Sequence, residues 1–445
     1  MVKIHFGTDG IRGRANENLT IKMAYRIGEY LGYSYSKERK ARIIIGRDTR
    51  ISGTMFEAAL SGGITSLGGN VYALGVCSTP ELVYLVRKGD FDCGLMISAS
   101  HNPFTDNGIK IIAGGGTKMN ADFEAEVEEY MYGDGQLETV TGDKIGEVFD
   151  YRSGSELYFD FLSEKFPLDL TGYKVLLDCA NGSATVTAEK MMKRLGADVT
   201  VINNTPDRMN INRGCGSTHP EMIAETIKTG KYDAGFAYDG DADRVIAIAP
   251  DGQIVDGDKI IYSCGKYLKK HGKLNGNKVV CTVMANLGLF KKLDEFGIGY
   301  EKTKVGDKYV YENMCENDYK LGGEQSGHII FKDYATTGDG LLTSLFMLQV
   351  MHDEGKSMNE LTDDLFVYPQ LLVNVEVKDK QNVLNDPEIK AACDKVDEEL
   401  KGDGRVLVRP SGTEPLIRVM VEASTDELCA YHVNRIVDLI KSKVL

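Results

Sequence analysis

Short apolar runs alternate along the chain with longer stretches whose apolar residues recur every three or four positions, and this alternation sets the expected architecture. The runs RIIIG at 42 to 46 and NVYALGV at 70 to 76 read as strands, and the stretch from 21 to 36 reads as a helix. Strands and helices in alternation form layered α/β units around a sheet. A second unit begins near Tyr151 and runs through KVLLDCANG, VTVIN and YDAGFAY, and a third opens with VVCTVMAN after a helix expected over 257 to 270. After a helical stretch around 340 to 353, VYPQLLVNVEV marks a linker at Tyr368 and Pro369 and a final unit of strands and helices. The last helix shows a capping-box pattern at Ser424 and Glu427, then an apolar face including Leu428, Tyr431 and Ile436. The expected divisions are 1–150, 151–254, 255–367 and 368–445, in line with the roughly three or four domains that a chain of 445 residues allows.

Four polar segments interrupt this pattern, each beside a strand-like run or a proline-marked turn. In ISASHNP, Ser100 follows the apolar run 93 to 97, and Pro103 can neither extend a sheet nor sit inside a helix, so the serine stands at a strand end. Alone, such a hydroxyl reads as one bonded to nearby backbone. In DGDADR, Asp239, Asp241 and Asp243 alternate with Gly240 and Ala242, whose small side chains let a tight loop aim several oxygens at one point. That suits a hard cation such as Mg²⁺. A calcium EF-hand loop needs glycine sixth and glutamate twelfth, where this chain has Arg244 and Pro250. A phosphoryl group on Ser100 would place an oxygen on such a cation, with Arg244 as a second positive charge. His101 and Lys110 are local candidates for proton transfer, a strand-edge surface position being the alternative for Lys110.

RPSGTEPLIR sets Ser411, Gly412 and Thr413 in a rigid turn flanked by Arg409 and Arg418, a cradle suited to phosphate. GGEQSGH places Glu324, Ser326 and His328 at alternate positions, so that an extended loop would turn all three to one face, suited to sugar hydroxyls. In FGTDGIRG, Arg12 is either a phosphate ligand or a surface arginine.

With FGTDGIRG, ISASHNPFTDNGIK, DGDADR, VGDKYV, GGEQSGH and RPSGTEPLIRVM in that order, the chain resembles the α-D-phosphohexomutases over its whole length. NINRGCGSTHPE, GGEQSGHIIFKDYATTGDG and RPSGTEPLIRVMVEA are most similar to the bacterial branch acting on glucosamine phosphate. Phosphomannomutase-type relatives commonly have methionine where Gln325 stands, and Ala242 replaces a common glycine, a change not expected to disturb metal binding. The resemblance implies three related α/β domains and a smaller C-terminal α+β domain around a central cleft, carrying in turn the phosphoserine, the metal, the sugar contacts and a phosphate site. It implies that Ser100 is phosphorylated and, with Asp239, Asp241 and Asp243, holds one Mg²⁺ per chain. Glu324 and Ser326 would read sugar hydroxyls. Arg409, Ser411, Gly412 and Thr413 would bind the phosphate not in transfer, while Arg12, Lys110, Arg244 and His328 assist the reacting end. The implied reaction interconverts glucosamine 6-phosphate and glucosamine 1-phosphate, feeding UDP-N-acetylglucosamine and cell-wall synthesis, with the same chemistry on glucose or mannose phosphate as the alternative. Glucosamine 1,6-bisphosphate or glucose 1,6-bisphosphate would serve as activator, and a homodimer is the implied assembly.

Composition narrows the partners. A formal charge of −14 argues against nucleic acid, which is bound through clustered Lys and Arg, so the arginines named above must converge to attract an anionic substrate. No apolar stretch approaches the ~20 residues that span a bilayer, and no signal-peptide pattern opens the chain. Nine scattered cysteines fit a reduced cytoplasm, and Cys215 with His219 lacks the second pair a zinc site would need. GGGTK at 114 to 118 lacks the Walker spacing, so nucleotide is not an expected ligand.

Overall fold

The computed structural model describes residues 3 to 411 and 415 to 443. The chain forms two compact units, one built from residues up to Met284 together with Ile298–Asp363, the other from Ala285–Gly297 and the chain from Asp364 onward.

The first unit holds three sheets. In the first, Arg42–Arg47 lies parallel to both Asn70–Val76 and Cys93–Ile97, and Asp106–Ala113 returns antiparallel to Cys93–Ile97. The continuous apolar run in Arg42–Arg47 follows from burial on both faces. Ile43 and Ile45 pack toward Ile27, Leu31 and Leu60 of helices Ile21–Tyr35 and Gly53–Ser66, whereas Ile44 packs toward Leu82 and Val86 of helix Thr79–Lys88. In the second sheet, Lys174–Asp178 is parallel to Asp198–Ile202 and Ala234–Tyr238, and Val245–Ile248 is the antiparallel return. In the third, Lys278–Thr282 is parallel to Gly299–Thr303 and Leu321–Gly323, and Ile329–Phe331 returns antiparallel.

One topological position recurs three times. The ISASHNP, DGDADR and GGEQSGH segments each join a parallel strand to the antiparallel return beside it. Such junctions free several residues from ladder bonding at the carboxyl ends of strands, where α/β sheets place ligand sites.

In the second unit, Leu416–Ala423 pairs antiparallel with Gln370–Glu376 and Gly404–Pro410, backed by helices Pro387–Leu400 and Asp426–Lys443. The last helix corrects two expectations. Thr425, rather than Ser424, caps it, accepting from Leu428 N–H at 3.3 Å. Leu428 and Tyr431 are exposed, and the buried face is Cys429, His432, Val433, Ile436, Val437 and Ile440. Residues spaced three, four and seven apart from Ile436 share its face, whereas Tyr431, five before it, does not. Among the described residues no helix is long and apolar enough to cross a membrane, and all nine cysteines are free thiols.

Candidate functional site

Ser100 is buried in the turn after Cys93–Ile97, and its backbone is left-handed, with φ at 50°. Its hydroxyl donates to Asp239 Oδ2 at 2.6 Å, which joins the serine turn to the aspartate loop. Asp239, Asp241 and Asp243 are all buried and present oxygens within 4.8 Å of one another. The close approach depends on Gly240, where a Cβ would lie 2.5 Å from the Ser100 carbonyl oxygen. Ala242 is itself left-handed, with φ at 56°, which accounts for glycine being common there and shows that the substitution carries backbone strain.

The triad is offset from within by Lys110, whose Nζ lies 2.7 Å from Asp241 and 3.4 Å from Asp243. Lys110 is buried in the strand Asp106–Ala113, so the surface alternative is ruled out. Burial alone would lower the Lys110 pKa, but Asp241, Asp9 and Asp243 hold it well above the ordinary lysine value, so it stays an ammonium. Asp239 lacks such a neighbour at close range, and burial together with the charges of Asp243 and Asp241 pushes its carboxyl well above the usual range. Thr79 Oγ1 also donates to Asp241 Oδ2, at 2.5 Å. One buried oxygen on each of Asp241 and Asp243 has no hydrogen-bond partner. Carboxylates buried with unsatisfied oxygens are the donor set a hard divalent cation takes, and the triad can hold a metal ion.

Around this centre, His101 Nδ1 lies 3.4 Å from Ser100 Oγ and accepts from Arg244 at 3.1 Å. Burial, Arg244 and Arg12 lower its pKa to about 4, so the ring is neutral at pH 7. Arg12 pairs with Asp9, which also meets Lys110 at 3.0 Å and Lys118 at 3.3 Å. His328 is buried, its Nδ1 3.6 Å from Asp243, and its Nε2 accepts the backbone N–H of Gly338 at 2.9 Å. Glu324 Oε1 accepts from Gly306 N–H at 3.1 Å, and Ser326 is exposed. Glu324, Ser326 and His328 thus divide, with His328 turned to the metal loop rather than sharing one exposed face. Gly327, with φ at 89°, allows this, since a Cβ there would meet the Val245 carbonyl oxygen at 2.2 Å. Gln325 donates to Asp256 Oδ2 at 3.2 Å, at the start of helix Gly257–Lys270.

In the second unit, Arg409 and Arg418 are direct cross-strand partners. Burial and Arg418 both lower the Arg409 pKa. Ser411 is buried, its N–H bonds the Leu416 carbonyl at 2.9 Å, and Lys380 donates to the Ser411 carbonyl at 2.9 Å. Gly412 and Thr413 lie outside the described residues.

Asp9, Asp48, Arg50, Thr79, Ser98, Lys118, Asn212 and Asp307 were not singled out from sequence, although all join the first site. Asp48 and Arg50 offered a signal, an acid and a base just beyond an apolar strand at the end where ligands gather. Cys215 is buried, His219 is exposed, and the Asp triad is the only metal-ligand cluster among the described residues.

Three layered α/β sheets and a small antiparallel one, with a serine, an acidic triad and basic side chains at the junction loops, define a phosphohexomutase-type framework. Models of the four phosphoglucomutase/phosphomannomutase domains match residues 3–137, 156–252, 256–368 and 372–439. The chain belongs to the phosphoglucomutase/phosphomannomutase family. It is 50% identical over 443 residues to a phosphoglucosamine mutase of Lachnospira eligens, covering 99% of this chain and 98% of that one. It is 48% identical over 442 residues to the phosphoglucosamine mutase of Bacillus subtilis, covering 99% of each. The fold is shared with a phosphoglucomutase/phosphomannomutase family protein of Burkholderia thailandensis, at a TM-score of 0.79, 24% identity and coverage of 98% and 97% of the two chains. It is also shared with an Aspergillus fumigatus N-acetylphosphoglucosamine mutase solved with GlcNAc-6P and magnesium, at a TM-score of 0.74, 18% identity and coverage of 100% and 96%.

Proposed function

We propose that this chain interconverts glucosamine 6-phosphate and glucosamine 1-phosphate through a phosphorylated Ser100. The observation that carries the mechanism is the buried Ser100 hydroxyl bonded to Asp239 at 2.6 Å, beside Asp241 and Asp243 oxygens that accept no hydrogen bond. The choice of aminosugar rests on relatives 48–50% identical over nearly the whole chain, each named phosphoglucosamine mutase.

Ser100, Asp239, Asp241 and Asp243 would hold one Mg²⁺, which when bound neutralises charge on a transferring phosphoryl group. The bond from phosphorus to Ser100 Oγ breaks as one forms to a sugar hydroxyl, whose proton leaves, giving a 1,6-bisphosphorylated sugar. The sugar reorients, its other phosphate passes to Ser100 Oγ, and its oxygen recovers a proton. His101, held neutral beside the serine, is the local group able to accept a proton, whereas Lys110 is held as an ammonium. Lys110, Arg12 and Arg244 supply the positive charge that phosphoryl transfer needs. Glu324 and Ser326 read the sugar, with His328 supporting the metal loop. Arg409, Ser411, Gly412, Thr413 and Arg418 bind the phosphate that is not in transfer. A 1,6-bisphosphate of glucosamine or glucose restores the phosphoserine if it is lost.

Phosphorus NMR of the Mg²⁺-loaded, bisphosphate-primed protein with glucosamine, glucose and mannose 6-phosphates in parallel tests this. The reading requires the aminosugar to be converted fastest and Ser100→Ala to be inactive. Preference for another hexose would refute the substrate, and turnover by Ser100→Ala would refute the mechanism.

A further inference from the structure

The Ser100 peptide is held from both ends. Its N–H donates to Ser98 Oγ at 2.9 Å, while its carbonyl accepts from Arg50 and from Asn212 Nδ2, each at 2.8 Å. The same two side chains meet again at the Asn102 carbonyl, at 2.8 Å from Arg50 and 3.2 Å from Asn212. Arg50 donates also to the Pro103 carbonyl at 2.6 Å and is fixed by Asp48 at 2.8 Å, which accepts from Ser98 Oγ at 2.6 Å. The turn therefore has little freedom to relax its left-handed serine.

Asn212 reaches this turn from a different sheet's loop, in the segment between Asp198–Ile202 and helix Glu221–Thr229. That segment docks beside Arg50 as well, the Arg208 carbonyl accepting from Ile51 N–H at 2.9 Å. Asn212 is left-handed too, with φ at 58°, a conformation its short polar side chain tolerates. Arg50 is 1% exposed and Asn212 7%, so neither presents itself to a bound sugar.

We propose that Arg50 and Asn212 are positioning residues for phosphoryl transfer, a two-sided clamp that keeps the Ser100 peptide left-handed and its Oγ aimed at Asp239. The inference rests on the reading of Ser100 as the phosphoryl carrier. Because the clamp touches the serine's backbone and not the sugar, its loss lowers kcat and leaves KM for the sugar phosphate in place.

The test is steady-state kinetics of full-length Asn212→Gly, which accepts a left-handed backbone while removing both donated bonds, beside Ser100→Ala and thermal melts of each. A misplaced reacting atom costs on the order of 100-fold, so kcat should fall by about that factor with KM within roughly twofold of wild type. Arg50→Lys keeps a cation against Asp48 but cannot span three carbonyls, and it should show the same split. Since both variants release one peptide, the double variant should lose less than the product of the two. A folded Asn212→Gly with wild-type kcat, or a loss confined to KM, would overturn the proposal. If Asn212→Gly does not fold, the same two outcomes in Arg50→Lys would overturn it. Turnover by Ser100→Ala would instead sink the underlying reading.

Discussion

The aspartate triad and the Arg409 turn handle charge in opposite ways. In the first unit, three buried carboxylates are met by a buried ammonium, Lys110, so a large part of the negative charge is offset before any ligand arrives. In the second, Arg409 and Arg418 stand face to face across a strand pair, and burial together with Arg418 makes the Arg409 charge harder to keep. A site with an internal counter-ion folds stably and waits for a cation. Arg409 and Arg418 instead set like charges directly opposite on paired strands. The aspartate triad belongs to one unit and the Arg409–Arg418 pair to the other.

The largest effect expected from this contrast is on Lys110. Lys110→Met removes the cation 2.7 Å from Asp241 and leaves the triad's charge buried, an arrangement that costs about 3–5 kcal/mol. Thermal melts should therefore show a strongly destabilised protein that Mg²⁺ rescues by more degrees than it adds to wild type. A variant as stable as wild type without Mg²⁺ would break the account of the first site.

Next comes Arg409→Ala. In the proposed phosphate-binding role of Arg409, losing one charge-assisted bond should weaken sugar-phosphate binding by roughly 1.5–3 kcal/mol, about 10- to 150-fold in Kd. Relief of like charges directly opposite should at the same time leave stability unchanged or raised by up to ~1 kcal/mol. Calorimetric titration and melts on one preparation measure both. Loss of stability with intact binding would invert the comparison.

How these features appeared in the sequence follows the same division. The ISASHNP and DGDADR loops were legible because each follows an apolar run long enough to mark a buried strand, whereas GGEQSGH follows only the three-residue strand Leu321–Gly323, and the strands at 42, 70 and 234 begin within a residue or two of the expected positions. Lys110 was ambiguous because an alternating strand does not say which neighbour it meets, and only the Asp241 contact decides it. Asn212, Arg50 and Thr79 were missed since their roles arise from carbonyls and carboxylates brought together from distant points of the chain. The last helix went astray in phase because Leu428 and Tyr431 are apolar yet exposed, and hydrophobicity alone does not require burial.

A smaller effect sharpens the charge balance through pH. His101 has a pKa of about 4 in the folded protein, against 6.5 ordinarily, because burial, Arg244 and Arg12 disfavour its charged form. Between those values the unfolded chain binds more protons than the folded one, so stability rises with pH across the window. The ring's contribution is complete above about pH 6.5 and is lost as pH falls toward 4. NMR titration of the His101 ring should show it neutral at pH 5.5. A midpoint near 6.5 would mean that neither burial nor the two arginines act on the ring as described.

The smallest expected effect lies at Ala242, within the aspartate loop itself. A left-handed alanine costs about 1–2 kcal/mol in backbone strain, while glycine loses roughly 0.5–1 kcal/mol more chain entropy on folding. Ala242→Gly should therefore stabilise the protein by no more than about 1 kcal/mol, and leave the carboxylate spacing intact because the backbone already suits glycine. The side chain is 2% exposed, so some of the gain is offset by lost packing. Urea unfolding would measure the difference, and Mg²⁺ titration should give the wild-type midpoint. A clear shift in that midpoint would mean that the alanine methyl helps to set the spacing of Asp241 and Asp243, making the aspartate loop's geometry depend on packing as well as on charge.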